Sequence, residues 1–136
     1  GVTDPRLLEP PSAPLPFLVP QVDADGNDIA GIRVPEQAVP LATTTGWNFR
    51  ASRFGNPGTI VALAGSYIPF ARTRAEREAN KDPRLSIEER YKGKADYLAR
   101  IRAVAQRLVK TGFMLDEDVE LSVQRAESHW DWALSR

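Results

Sequence analysis

Apolar positions over the last third of the chain recur every three to four residues. Leu98, Ile101, Ala105 and Leu108 make one stripe of a helix over Lys94–Thr111, with Tyr97, Val104 and Val109 beside it. Asp96 and Arg100 stand four apart on its wet side, where opposite charges support a helix. Gly112 and Phe113 follow with the spacing of a Schellman cap, Phe113 reaching back to Leu108. A second helix starts at Asp116. Asp116, Glu117, Asp118 and Glu120 crowd its first turn with the charge a helix N-terminus prefers, and Val119, Val123, Ala126, Trp130 and Leu134 form its stripe. Only a short connection separates the two helices, which predicts an antiparallel αα-hairpin.

Before Thr73 the pattern is shorter and β-like. The stretch Leu18–Arg50 sets two apolar runs around Asp23-Ala-Asp-Gly26-Asn27, and Gly26 supplies the positive φ of a tight reversal. This predicts a β-hairpin, Phe17–Val22 going up and Ile29–Val34 coming back. Prolines at both ends of Val34–Pro40 fit a short helical turn and exclude a central strand. Thr43–Arg50 is β-prone and broken at Gly46; Phe54–Gly58 reads as a loop. Thr59–Ala64 is an apolar run that suits a buried strand or a helical turn. Capping-box spacings at Thr73–Glu76 and Ser86–Glu89 open two short helices, stopped by Lys81-Asp-Pro83 and Gly93. The expected fold class is α+β: a β-hairpin plus short strands and irregular loops, followed by short helices and a C-terminal αα-hairpin. Residues 1–16 hold five of the eleven prolines and read as an arm or linker, with PxxP spacing at Pro11–Pro14. Residues 17–136 are expected to form one small unit, 17–70 β-rich and 73–136 helical.

Composition narrows the chemistry. Eighteen basic residues balance eighteen acidic ones, so the chain lacks the electrostatic footprint of a nucleic-acid binder. No cysteine is present, which removes disulfides, thiolate metal sites and cysteine nucleophiles. No apolar run approaches the roughly 20 residues of a membrane span. Gly1-Val-Thr-Asp-Pro has no signal-peptide pattern and is expected to be an internal start, a processed start or the edge of an expressed piece. The compartment is left open.

Four oxygen-bearing residues, Asp23, Asp25, Asn27 and Asp28, are the weak metal candidates, since hard cations want several oxygens. Their spacing departs from an EF-hand loop, and turn chemistry accounts for all four. Ser66 lacks the small-residue setting of a nucleophile elbow: Gly65 is adjacent and Tyr67-Ile68 are bulky. His129 is the only histidine, and Glu127 and Asp131 point around the helix from it. No catalytic residue and no cofactor is assigned. Arg72, Arg74, Arg77, Arg84 and Arg90 interleave with Glu76, Glu78, Glu88 and Glu89, which predicts a salt-bridged helical face. Trp47 reads as a core or edge anchor.

Three segments together carry a resemblance: LVPQVDADGNDIAGIR (Leu18–Arg33), VPLATTTGWNFR (Val39–Arg50) and GSYIPFARTRAEREANKDPRLSIEERYKGKADYL (Gly65–Leu98). From about Phe17 to Trp132 the chain resembles the C-terminal region of bacterial alpha/beta hydrolase domain-containing proteins. The resemblance implies kinship with esterase/lipase-like serine hydrolases, whose Ser-acid-His set is expected upstream of the matched region. It implies a non-catalytic C-terminal portion that packs on or covers the hydrolase core, with that core or a homo-oligomer partner as its contact. The alternative is a free-standing interaction module using Trp47, Trp130, Trp132 or the proline-rich arm.

Overall fold

The computed structural model describes residues 20–55, 58–61 and 64–136. The described chain is α+β, and its β part is a ribbon folded back on itself. Strands β1 (Ala42–Thr45) and β4 (Ser66–Pro69) pair antiparallel, with Ala42 opposite Pro69 and Thr45 opposite Ser66. Strands β2 (Asn48–Phe49) and β3 (Ile60–Val61) pair inside that loop, with Asn48 opposite Val61. Two residues, 46 and 47, separate the ladders on one arm, and four, 62–65, on the other. The mismatch breaks the ribbon into two sheets. Trp47 C=O is held there by Thr45 Oγ1 at 2.5 Å and Ser66 Oγ at 3.1 Å. Gly65 is required at the break, because a Cβ would lie 2.4 Å from the Thr45 carbonyl oxygen.

The reversal at Asp23–Asn27 is present, but the hairpin expected around it is reduced to one bridge, Val22 to Asp28, with Ile29 N–H donating to Gln21 C=O at 3.0 Å. Phe17–Leu18 and Val19 of the expected first strand, like the proline arm, lie outside the described residues. The returning arm bends at Ala30-Gly31, where Gly31 takes φ +79°, so the ladder does not propagate. Instead the turn is fastened sideways to β1. Buried Asn27 donates from Nδ2 to Ala42 C=O at 3.1 Å and accepts the Thr44 N–H at 2.8 Å. Its carboxamide thereby does at the outer edge of β1 what a neighbouring strand's peptide would do.

The helices follow the sequence closely. α1 is Pro35–Ala38, the short turn expected between the two prolines. α2 is Arg74–Ala79, with Thr73 Oγ1 accepting the Glu76 N–H at 3.1 Å. Glu76 returns its carboxylate to Arg72 N–H at 2.9 Å, one residue before the cap, so the box is displaced. α3 is Ile87–Arg90, with a complete Ser86/Glu89 capping box. α4 is Lys94–Lys110 and α5 is Asp118–Ser135. At the end of α4, Phe113 N–H donates to Leu108 C=O and Gly112 N–H to Val109 C=O, the paired bonds of a Schellman cap with Gly112 at φ +79°. α4 and α5 run antiparallel: Lys94, at the start of α4, pairs with Glu127 and Asp131 near the end of α5, and Arg102 pairs with Glu120 near its start.

Between them lies the core. Tyr97, Ile101 and Ala105 of α4 meet Val119, Val123, Ala126, Trp130 and Ala133 of α5, with Leu41, Phe70, Ile87 and Tyr91 closing one side. Tyr91, Tyr97 and Trp130 form an aromatic trio, their ring centroids 5.0–6.0 Å apart. The buried stripe of α4 is centred on Tyr97 rather than Leu98. On α5, Ala133 turns inward and Leu134 outward, because alanines at 126 and 133 are what the close helix approach admits.

Gly65→Ala should destabilise the chain by about 1–3 kcal/mol, through overpacking against the Thr45 carbonyl. Gly46→Ala, where the same atom meets open space, should change stability by less than about 0.5 kcal/mol. Urea denaturation of both variants checks the contrast.

Candidate functional site

Strand alternation decides what Ser66 and Tyr67 can reach, since successive side chains leave a strand on opposite faces. Ser66 Oγ is spent on Trp47 C=O. Tyr67, on the other face, meets α5. Its Oη lies 2.5 Å from His129 Nε2, and the two rings sit 5.5 Å apart. Trp132, one helical turn beyond His129, stacks on the imidazole at 5.9 Å and touches Tyr67 edge-on at 5.6 Å. The Arg136 guanidinium covers the outer face of Trp132, 4.8 Å from the ring centroid.

The electrostatics suit a neutral pair. Burial holds His129 below its ordinary 6.5; the Glu36 carboxylate on α1 opposes that shift, and the Arg136 cation adds to it. Burial likewise raises Tyr67 above its ordinary 10.0, against Arg136. Both groups are therefore uncharged at neutral pH, with one hydrogen bond between phenol and imidazole. Deeper in, Tyr97 Oη is fully enclosed without a hydrogen-bond partner among the described residues, and burial raises its pKa strongly. Tyr91, pushed up to about 12 by burial, donates its hydroxyl proton to Pro40 C=O at 2.8 Å.

Among the described residues, no serine hydroxyl bonds the imidazole. Ser66 and His129 belong to separate contacts, although Tyr67 carries the neighbouring backbone of Ser66 to the histidine. Glu127 and Asp131 both bind Lys94 Nζ at 2.9 Å, as their positions on the helix imply. Sequence reasoning missed Tyr67, and it named Trp132 as a contact for partners without placing it beside His129. The period-two alternation from Ser66 and the three-residue step from His129 were the available signals.

The four turn residues serve other partners. Asp23 Oδ1 accepts the N–H groups of Asp25 and Asn27 at 2.9 and 3.0 Å. The Asp25 carboxylate grips the Arg90 guanidinium with two bonds, and its carbonyl accepts from Thr43 Oγ1. Asn27 bridges Ala42 and Thr44, and Asp28 is exposed at the bridge to Val22. The basic stretch forms the expected ion pairs, Arg72–Glu76, Arg74–Glu78 and Arg77–Glu89, while Arg84 and Arg90 turn inward onto Phe70, 5.2 and 4.0 Å from its ring centroid. Of the tryptophans, Trp47 is exposed against Phe49, Trp132 is exposed, and Trp130 is core, which withdraws Trp130 as a contact for partners.

The model of the alpha/beta hydrolase domain family matches residues 5–124, and the chain belongs to that family. No curated protein and no solved structure gives a significant match. Among the described residues, no helix is long and apolar enough to cross a membrane.

His129 should titrate below 6.5 by NMR. Below 6.5 the unfolded chain takes up a proton that native His129 refuses until its lower midpoint, so this group's contribution is full above 6.5 and is lost as pH falls. Urea denaturation across that interval should show a shallower acid-side loss for His129→Gln than for the parent chain.

Proposed function

We propose that this chain is a non-catalytic C-terminal portion of an alpha/beta-hydrolase-like protein, packing on or covering the hydrolase core. Residues 17–136 act in this reading as one α+β unit, with 1–16 leading into it. The observation that carries the reading is the setting of the one histidine: His129 Nε2 is taken by Tyr67, Ser66 is held by Trp47, and the two carboxylates nearest His129 in sequence are tied to Lys94. A triad needs nucleophile, base and orienting acid within hydrogen-bond reach of one another. The apolar surface adds support. Val22, Ile29, Ile32 and Val34 around the turn, and Phe49, Phe54 and Ile60 around the inner sheet, are all exposed. Large apolar side chains left exposed in these two groups favour a surface that another body covers.

The purified chain should leave p-nitrophenyl acetate and butyrate at the buffer rate, and a fluorophosphonate probe should label no residue of it. Stoichiometric labelling of Ser66, lost in Ser66→Ala, would overturn the reading. Ser66→Ala and His129→Gln should both leave the ester signal at background.

A further inference from the structure

The ribbon leaves the core after Thr43 and returns to it at Phe70. Among the described residues between those two, none is buried. The extension nonetheless carries large apolar side chains. Trp47 and Phe49 meet edge-on with ring centroids 5.3 Å apart, and both are exposed. Phe54, on the 3-10 turn Ser52–Phe54, and Ile60 of β3 are 66% and 60% exposed. Phe49, Phe54, Val61 and Ala64 line an open hollow of about 510 Å3, with Arg50 in its wall. Backbone bonds hold this end of the ribbon in place: β2 pairs with β3, Arg50 N–H donates to Thr59 C=O at 2.9 Å, and the Trp47 carbonyl is fixed by two hydroxyls. The rings are thus presented outward from a fixed frame.

Charge separates this group from the other exposed apolar group. Around the turn, Val22, Ile29, Ile32 and Val34 stand in a stretch that also holds Asp23, Asp25, Asp28 and Glu36. From Gln37 to Ala75 the chain has no acidic residue. The ribbon end has Arg50 and Arg53 instead, neither in an ion pair among the described residues; Arg53 lies over the Phe54 ring, 4.9 Å from its centroid. Exposed aromatic rings beside unpaired arginines, with no carboxylate along the same stretch, are complementary to an apolar body with an anionic face. A bilayer of anionic lipid has both: its headgroups attract arginine within a Debye length, and the boundary below them accepts aromatic rings. β2 and β3 have two residues each, a small footing against the roughly 800 Å2 per partner that a stable protein interface buries.

We propose that the end of the ribbon docks on a bilayer surface rich in anionic lipid, with Trp47, Phe49 and Phe54 at the headgroup boundary and Arg50 and Arg53 at the phosphates. The inference does not depend on the packing role proposed above, and it leaves the turn group to the hydrolase core.

The test is flotation of the whole chain with vesicles of phosphatidylcholine, with and without phosphatidylglycerol. The mixed vesicles should bind the chain at least about tenfold more strongly than the neutral ones. Arg50→Glu with Arg53→Glu, and separately Phe49→Ser with Phe54→Ser, should each weaken that binding by about tenfold or more. Lys110→Glu, on α4, should leave it unchanged. These positions are all exposed, so an unchanged melting temperature checks the fold of each variant. Brominated lipid in the mixed vesicles should quench tryptophan emission, and less so in Trp47→Tyr. No binding to the mixed vesicles, equal binding to neutral ones, an equal loss in Lys110→Glu, or unaltered binding or quenching in the ribbon variants would each overturn the proposal. So would saturable binding of oligo(dT) with the vesicles left unbound, which would assign the same rings and arginines to single-stranded nucleic acid.

Discussion

The fold depends on how one turn is tied down. Asp23–Asn27 leaves too little ladder to hold itself, with a single bridge at its base. Its side chains fasten it instead. Asn27 closes the edge of β1, and Asp25 reaches across to Arg90 on α3 with side chains only 18% and 13% exposed. Arg90 in turn lies on Phe70, which follows β4 and is core. Turn, ribbon and first helices are joined in this way through one carboxylate and one guanidinium. Such a pair is costly to bury and more costly to break, because the survivor is left charged and desolvated.

That constraint also shapes the chemistry. In the acidic turn the side-chain oxygens of Asp23, Asp25 and Asn27 are engaged by amide, hydroxyl and guanidinium donors. The lone imidazole is treated alike: it is half-enclosed, neutral, and joined to a phenol that strand alternation delivers. Both sets of polar groups act between elements. They join the ribbon to the helices.

What could be read in the sequence was what depends on neighbours along the chain. The α4–α5 pair, the Schellman cap at Gly112, the Ser86/Glu89 box and the Asp96–Arg100 pair follow from spacing of three to five residues. The ribbon was harder. Its pairing of Ala42 with Pro69 spans a long loop, and short threonine-rich strands give weak periodicity. The turn around Gly26 carried the stronger local hairpin signal, yet its returning arm bends at Gly31, and what lies along the outer edge of β1 is an asparagine side chain. Asp25–Arg90 and Tyr67–His129 join residues more than sixty apart, and no local rule pairs them. Leu134 was misplaced for a related reason: a stripe drawn from size favours leucine, whereas the closeness of two helices favours Ala133.

A double-mutant cycle on Asp25→Asn and Arg90→Gln, read by urea denaturation at neutral pH, tests this account most directly. A coupling energy of about 1–3 kcal/mol is expected for a largely buried, doubly hydrogen-bonded pair. Additive single and double variants, with coupling below about 0.3 kcal/mol, would mean that the turn is held by something else.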